Sequence, residues 1–366
     1  MDDSGEPREL AELGGSGSGV AESAAGAYLP GVLEPRHAEG GLALDASAQL
    51  SLPLLVTPQV VLFPGATLPL REHAASPRWA VLDALLRGSG AALLATASDQ
   101  PRPGEICCVA RIERAARVAG DGSELVAVAR GVARAELLSV SSGDDDAPLV
   151  TLQLLPEAAD RPQQPPMLSA HAATSLWRTH RPEALAARLR RAPALMALTD
   201  AAHLATLTPA ELSWHAAAKL PLDVHERRAL LQEASAAVRL HRLLAAVGED
   251  AVLRCASCGA HWADGEDVLA TATAGAFVNP HGYVHDVLPV RDASNLSAHG
   301  QPTARDSWFA GHAWQIAHCR CFAHAGWRFT AVPRATQLAH LPVAFWGLRQ
   351  GAFTHAAREA AGARAD

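Results

Sequence analysis

The stretch AHCRCFAHAGW, residues 317–327, contains two cysteines, Cys319 and Cys321, with a single residue between them. Zinc-binding cysteine pairs on a tight turn are usually spaced C-x-x-C. The chain has one such pair upstream, Cys255 and Cys258 in CASCGAHW. Together the two pairs would supply the four soft ligands that tetrahedral zinc needs. Whether they do so decides whether the C-terminal third of the chain folds around a metal.

The shortened pair leaves more than one ligand set open. A C-x-C pair can chelate, although its turn is tighter, and the intact first pair favours zinc bound by Cys255, Cys258, Cys319 and Cys321. Alternatively, His318 and Cys321 restore the ordinary spacing as H-x-x-C and release Cys319. In the remaining alternative, the thiols are buried without a metal.

A cluster of aromatic residues surrounds this stretch. Trp308, Trp314 and Trp327 lie close together in sequence, with Phe309 and Phe329 between and after them. Such a cluster is usually the core of a small β-domain, but indole faces can also line a cage for a cation or a flat, compact ligand. From composition alone we favour the core.

Length and composition limit the classes of function. A chain of 366 residues, 49% hydrophobic, predicts two or three domains with sizeable cores. The formal net charge of -7 gives no basic surface for nucleic acid. No signal peptide opens the chain and no apolar run reaches the roughly 18 residues of a membrane helix, so we expect an intracellular protein in a reducing compartment. The single lysine, Lys219 in WHAAAKLPL, excludes a phosphate loop of the form G-x-x-x-x-G-K-[ST].

The composition and hydrophobic pattern of the chain change four times along its length, which predicts five segments. Two are tails without apolar periodicity, one is made of short apolar runs broken by proline, one has helical periodicity after a Pro/Gln linker, and one is rich in Trp, His and Gly. The predicted segments are a disordered tail at 1–46, a β-domain at 47–157, a helical bundle at 158–249, a second β-domain at 250–355 and a disordered tail at 356–366.

Local patterns give three further predictions. Gly120–Gly122 reads as a hairpin turn between two strands. Cys107 and Cys108 lie in one strand and point to opposite faces, so we expect buried thiols that share no metal. The stretch HERRALLQEASAAVRLHRLLAAV, residues 225–247, predicts one long amphipathic helix.

Three C-terminal motifs resemble the thalidomide-binding (CULT) domain of the cereblon family: FVNPHGYVHD, SWFAGHAWQIAHC and GWRFTAV. The run LPLLVTPQVVLFPGATLPL and the strands after it resemble the N-terminal substrate-recognition domain of Lon proteases, which the cereblon family also carries. LPLDVHERRALLQEASAAVRLHRLLAAV resembles the helical segment joining the two. The resemblance covers residues 48–355 in order. It implies an α+β multidomain fold with a Lon N-terminal-like β-rich domain, a helical bundle and a C-terminal zinc-bearing all-β CULT domain.

The resemblance also implies a function. Cereblon-family proteins are non-catalytic substrate receptors of a cullin-RING E3 ubiquitin ligase, and their helical segment docks on the damage-specific DNA-binding adaptor subunit. A cage of three tryptophans accepts glutarimide or succinimide rings, as in thalidomide-type drugs and C-terminal cyclic imides on damaged proteins. We therefore expect a cytoplasmic and nuclear receptor that directs ubiquitination and proteasomal degradation. By position, the implied ligand-binding residues are Asn279, Pro280, His281, Asp306, Ser307, Trp308, Trp314, Trp327 and Phe329.

The chain departs from the family pattern at two places. The family reads H-S-W-F-P-G-Y where this chain has DSWFAGH, beginning at Asp306. An ionised Asp306 has only acceptors, so it would repel the imide carbonyl that the family's histidine helps to bind, and we expect weaker binding or altered ligand choice. The second departure is the residue missing between Cys319 and Cys321, which can also shift Trp327.

Three other functions compete with this interpretation. An ATP-dependent Lon protease needs a phosphate loop and a Ser–Lys dyad, and Lys219 alone cannot supply both. A zinc-bearing reductase needs a catalytic cysteine beyond four ligands, which only a released Cys319 would provide. A zinc-bearing Trp-cage module that reads methylated cationic peptides, without a ligase, remains the alternative, because Asp306 suits a cation better than an imide.

Overall fold

The computed structural model of the chain confirms the predicted α+β architecture. No helix within the described part of the chain is long and apolar enough to cross a bilayer. The structure describes residues 28–29, 33–35, 49–57, 60–87, 93–97, 100–118, 123–142, 148–157, 181–246, 251–269, 275–333 and 341–357.

The N-terminal part is a seven-stranded sheet that curls into a ring. Its spatial order is β1-β5-β4-β2-β7-β6-β3, and because β5 also pairs with β6, the strands from β5 to β6 close on themselves. All pairs are antiparallel except β2 with β4, which are joined through β3 and one helix, α1. The bounds are β1 Glu34–Pro35, β2 Gln49–Val56, β3 Thr67–His73, α1 Pro77–Arg87, β4 Leu93–Ala97, β5 Ile106–Val118, β6 Glu124–Ser142 and β7 Pro148–Leu155.

Alternating burial along these strands fills the ring with aliphatic side chains. Cys107 and Cys108 are both buried in β5, as predicted, and each belongs to a different apolar cluster, one on either face of the sheet. Burial raises the pKa of the Cys107 thiol to about 12. The two thiols are therefore packing groups rather than ligands.

The structure describes six helices between residues 181 and 246, and their shared apolar core includes Val61 and Phe63 of the N-terminal part. The helices are α2 Pro182–Leu189, α3 Pro193–Leu198, α4 Ala201–Thr206, α5 Pro209–Lys219, α6 Val224–Gln232 and α7 Ala236–Ala246. Thr208 and Asp223 form the capping boxes that start α5 and α6. Glu157, just after β7, accepts hydrogen bonds from the Trp214 indole and the Arg239 guanidinium, both 2.8 Å, which ties the helices to the first sheet.

The prediction of one long helix over residues 225–247 was wrong, because the helix breaks between Gln232 and Ala236. Ser235 starts a new helix by accepting a hydrogen bond from Val238 N. The buried Arg239 donates hydrogen bonds to the carbonyl oxygens that lose their helical partners at the break, Glu233 O at 2.9 Å and Ala234 O at 3.1 Å. The apolar periodicity continues across the break, so it gave no sign of two helices. The signals that the prediction missed were the serine cap and the arginine contacts.

The described residues of the C-terminal part form two antiparallel sheets. The larger has the order β10-β11-β15-β14-β13-β12, and the smaller has the order β16-β8-β9. Their bounds are β8 Ala251–Cys255, β9 His261–Asp264, β10 Gly275–Val278, β11 Val284–Val290, β12 Leu296–Thr303, β13 His312–Cys319, β14 His324–Ala331, β15 Ala344–Arg349 and β16 Phe353–Ala357. Lys219, the single lysine, lies at the end of α5, near Gly275 of β10.

Ordered structure extends into both of the tails that were predicted to be disordered. Tyr28, Leu29 and Leu33 fall in the predicted disordered tail at 1–46, yet they pack on β6 and β10, and the Tyr28 hydroxyl accepts a hydrogen bond from Val278 N at 2.7 Å. Three apolar residues in a Gly/Ala-rich stretch are too few to give a pattern. Strand β16 pairs with β8 as far as Ala357, two positions into the predicted tail at 356–366. The predicted turn at Gly120–Gly122 lies outside the described residues.

The helices and the first sheet both contact the C-terminal sheets. Arg227 of α6 pairs with Asp286 of β11 at 2.5 Å, and both side chains are at least nine-tenths buried. From β3, the His73 ring donates to Pro280 O at 2.8 Å, and Arg78 of α1 donates to Gly282 O at 3.0 Å. The loop between β10 and β11 is thus held against the first sheet.

Candidate ligand cage and metal cluster

A cavity of about 370 Å³ opens between the β10–β11 loop and strands β13 and β14. This volume is within the ordinary range for a small-molecule pocket. Its lining residues are Asn279, Pro280, His281, Arg305, Asp306, Trp308, Trp314, Trp327 and Phe329. Eight of the nine residues implied by the resemblance therefore share one cavity, and the side chain that sequence reasoning missed is Arg305.

Three indoles form the apolar walls. Trp308 and Trp327 meet edge to face, with ring centroids 4.7 Å apart and planes at 77°. The Trp308 indole donates to Val278 O at 3.1 Å, and the Trp314 indole donates to Arg305 O at 2.9 Å. Because both N–H groups are held by backbone oxygens, the indole faces have fixed orientations before any ligand arrives.

The aromatic cluster is both a core and a cavity wall. Phe309, Phe329 and Phe345 are almost fully buried and contact one another, with centroids 4.6 to 5.1 Å apart. Trp308 and Trp314 pack on this group but remain partly exposed to the cavity. The expectation of a core from composition was correct for the phenylalanines and incomplete for the tryptophans.

The loop opposite the indoles is stiffened by its own polar groups. Asn279 Oδ1 accepts hydrogen bonds from His281 N and Tyr283 N, both at 3.0 Å. Ser307, the ninth implied residue, does not line the cavity. Its hydroxyl contacts the backbone of Phe309, which shapes the turn carrying Trp308.

Two histidines lie behind the indoles in their neutral form. His285 contacts the Trp308 and Trp327 rings, and His324 contacts Trp327. Burial, together with the nearby Arg349 cation, lowers the pKa of each histidine to about 4. Neither adds charge to the cage near neutral pH.

Asp306 is the acidic residue in the lining of the cage. Its Oδ1 lies 3.6 Å from Nη1 of Arg71, and its Oδ2 lies 3.5 Å from Nε of Arg305. Asp306 has φ of 56°, a left-handed conformation that Asp adopts more readily than most residues. The carboxylate, which was predicted to repel an imide carbonyl, therefore has two cationic neighbours.

The four predicted cysteine ligands come together at the other end of β13. All four Sγ atoms lie within 4.8 Å of one another, with Cys255 to Cys321 at 3.8 Å and Cys258 to Cys319 at 3.7 Å. Four Zn–S bonds of about 2.3 Å place the sulfurs of a tetrahedral site about 3.8 Å apart. The cluster therefore fits a tetrahedral metal, and the missing residue between the cysteines has not separated the sulfurs.

The alternative ligand His318 does not join this cluster. Its ring contacts His299 and His324 on the neighbouring strands, with centroids 5.3 and 5.7 Å away. Cys319 stays in the cluster, where the Trp262 indole donates to its sulfur at 3.4 Å. Burial opposes ionisation of Cys319, but hydrogen bonds from the backbone N–H of Cys321, from Trp262 and from neighbouring thiols lower its pKa to about 7. These contacts suit a thiolate ligand.

Known proteins match this chain both over its N-terminal part and over most of its length. Residues 51–247, more than half of the chain, match the family described as the ATP-dependent protease La (LON) substrate-binding domain. Protein cereblon of Xenopus tropicalis is 32% identical over 89% of this chain and 82% of its own length. The chain belongs to the cereblon family.

Two other relatives are also named cereblon. Protein cereblon of Gallus gallus is 30% identical to this cereblon-family chain over 89% of it and 82% of the relative. Protein cereblon of Danio rerio is 40% identical over 39% of this chain and 34% of the relative. A solved structure of the N-terminal domain of Mycobacterium avium complex Lon protease aligns with a TM-score of 0.39 and 23% identity, covering 54% of this chain and 97% of that one.

Proposed function

We propose that this cereblon-family chain is the substrate receptor of a cullin-RING E3 ubiquitin ligase that recognises cyclic imides. The observation that carries the proposal is the cage of Trp308, Trp314 and Trp327 around one open cavity. Indole faces exclude water around a flat five- or six-membered imide ring, while nearby backbone groups pair its N–H and carbonyls. We propose glutarimide and succinimide groups, on small molecules or at protein C-termini, as the ligands.

The rest of the molecule has a supporting role in this proposal. The helices α2 to α7 would dock on the ligase's damage-specific DNA-binding adaptor subunit, in the cytoplasm and nucleus. The receptor would be non-catalytic and would promote ubiquitination by holding a substrate near the transferring enzyme. Zinc is the proposed metal of the four-cysteine cluster, where it would hold β8 beside the end of β13 and so support the cage.

Direct titration tests the proposal. The metal-loaded chain is titrated with glutarimide, followed by tryptophan fluorescence and calorimetry, and we expect saturable one-to-one binding. Trp314→Ala should weaken binding at least tenfold, because it removes one wall of the cage. The matched control is Trp346→Ala, since Trp346 is a partly buried indole of the same sheet that contacts Arg328 outside the cavity. Equal affinity of the Trp314→Ala and native chains would contradict the proposal.

A second experiment addresses the ligase. The chain is mixed with the purified adaptor and analysed by size-exclusion chromatography, and we expect a one-to-one complex. Substitution of exposed residues of α4 and α5 should weaken that complex without changing glutarimide affinity. An adaptor that elutes apart from the native chain at micromolar concentration would reject the docking proposal while leaving imide binding in place.

One observation favours a second candidate function. Asp306 places a carboxylate at the wall of an aromatic cavity, which is the arrangement that recognises quaternary ammonium groups. A cage that bound trimethyl-lysine peptides and failed to bind glutarimide would support a reader of methylated cations, independent of a ligase.

A further inference from the structure

The charge of the cage depends on a residue from the other end of the chain. Arg71 belongs to β3 of the first sheet, yet its Nη1 lies 3.6 Å from Asp306 Oδ1. The side chains of Arg71 and Asp306 are 15% and 31% exposed, whereas Arg305, the other cationic neighbour, is 91% exposed. Solvent screens Arg305 strongly, so Arg71 is the more effective partner of the carboxylate.

The Arg71 guanidinium is held in this position. Its Nε donates to Glu124 of the neighbouring strand β6. Nη1 on the opposite side of the guanidinium is then left near Asp306, because the guanidinium is planar and its donors have fixed directions. The contacts from His73 to Pro280 O and from Arg78 to Gly282 O keep the cage loop beside this strand.

The ligand preference of an aromatic cavity depends on whether its carboxylate is paired. An unpaired Asp306 beside three indoles attracts a cation and repels the carbonyl oxygens of a neutral imide. A guanidinium beside that carboxylate weakens this field, although it shares its charge with the Glu124 carboxylate, and it also repels an incoming cation directly.

We propose that Arg71 is a specificity-determining residue of the cage, which pairs with Asp306 so that the cavity accepts a neutral ring and rejects a cation. Arg71 acts through Asp306 and is not itself among the lining residues. The identity of the neutral ring rests on the function proposed above, whereas the effect of Arg71 on charge preference does not.

The test compares two probes on the full, metal-loaded chain: glutarimide and tetramethylammonium. Arg71→Met should lower glutarimide affinity at least tenfold and raise tetramethylammonium affinity at least tenfold. Adding Asp306→Asn to Arg71→Met should remove both effects and restore the ligand preference of Asp306→Asn alone. If Arg71 only stabilised the fold, a second substitution in the cage would not reverse the affinity changes caused by Arg71→Met.

Arg78→Met is the matched control. Arg78 lies at the same contact between the first sheet and the cage loop, bonding Gly282 O and Glu72 without an ion pair to Asp306. Its substitution should leave the ratio of the two affinities within twofold of the native value. Arg71→Gln, which keeps a donor towards Glu124, is used if Arg71→Met loses its metal.

The outcomes separate this inference from the proposed function. The native chain could bind glutarimide while Arg71→Met leaves the ratio of the two affinities unchanged. That result would overturn this inference and leave the proposed function in place. A native chain that binds neither probe, together with an Arg71 variant that binds tetramethylammonium, would overturn the imide function and support the pairing. A native chain that prefers tetramethylammonium would overturn both.

Discussion

Asp306 places a carboxylate in the wall of the aromatic cavity. The family resemblance implies a histidine at this position, and the Asp306 backbone is left-handed. A carboxylate can accept but not donate, so it cannot pair an imide carbonyl even when Arg71 offsets its charge. The cage keeps its shape and lacks one donor.

Restoring that donor should increase imide affinity. We predict that Asp306→His binds glutarimide about tenfold more tightly than the native chain, because one hydrogen bond to a buried carbonyl is worth about 1–2 kcal/mol. Isothermal titration of the two metal-loaded proteins at pH 7.5 measures the difference. Val343→Ala, at an exposed position outside the cavity, serves as the control, and equal affinities for Asp306→His and the native chain would contradict the prediction.

The cage residues could be predicted because they lie in short motifs with a specific order. Their neighbours could not. Arg71 is far from Asp306 in sequence, and no local pattern marks a strand that will pack against a distant loop. Arg305 precedes the motif as an ordinary exposed arginine, so nothing in its surroundings indicated a cavity.

At the scale of elements, the turn between β13 and β14 shows how a shortened cysteine pair still presents two sulfurs. Phe322, just after Cys321, has φ of 67°, and Phe322 N donates to Cys319 O at 2.8 Å. This tight turn brings Cys319 and Cys321 to the same side as the first pair. The sequence predicted the four cysteines as ligands and left His318 open as the alternative to Cys319, and the turn geometry favours the cysteine.

Metal content should therefore follow the cysteines and not the histidine. We predict that Cys319→Ser loses the metal, because three sulfurs leave the site open and the Trp262 indole without its acceptor. His318→Ala should retain one metal per chain. Native mass spectrometry of the purified proteins measures both, and loss of the metal from His318→Ala alone would establish the H-x-x-C ligand set instead.

Strands β14 and β15 are antiparallel neighbours in the sheet beside the cage, and their backbones approach closely at Gly326. Gly326 has φ of 147°, and a Cβ there would lie 2.0 Å from Gly347 O, directly before Trp327. We predict that Gly326→Ala lowers the free energy of unfolding by about 3 kcal/mol or more, since it combines backbone strain with a clash.

Gly300 provides the control for this substitution. It has φ of 84° and nothing within 4 Å of an added Cβ, so Gly300→Ala should cost only about 1–2 kcal/mol of backbone strain. Urea denaturation of the three metal-loaded chains measures the two changes. Equal losses would show that the approach of Gly326 to β15 is not tight.

At the scale of the whole molecule, the helices and the C-terminal sheet are joined by a buried ion pair. Arg227 and Asp286 bond at 2.5 Å, and Arg227 also donates to Ala218 O. Burial raises the pKa of Asp286 despite the neighbouring Arg227 and Lys219 cations. Hydrophobic periodicity predicted the helices and strands, but it carries no information about which charges meet between them.

Removing one partner of this ion pair should lower the stability of the chain strongly. We predict that Arg227→Met destabilises the chain by about 3–5 kcal/mol, because the carboxylate stays buried without its main partner. Arg228→Met, at the next and more exposed position, should change stability by less than about 0.5 kcal/mol. Thermal unfolding monitored by circular dichroism compares the two, and similar melting temperatures would show that the pair contributes little.

The cysteine cluster also has a consequence for the order of events in the life of the protein. A metal held by Cys258 and Cys319 closes a loop of chain, residues 259–318, that carries the Asn279–His281 segment, Trp308 and Trp314. Before the metal binds, that long loop must give up its conformational entropy without a cross-link. Newly made chains would therefore acquire the metal first and the folded cage second, so the supply of metal during synthesis would set how many chains have a cage able to bind a ligand.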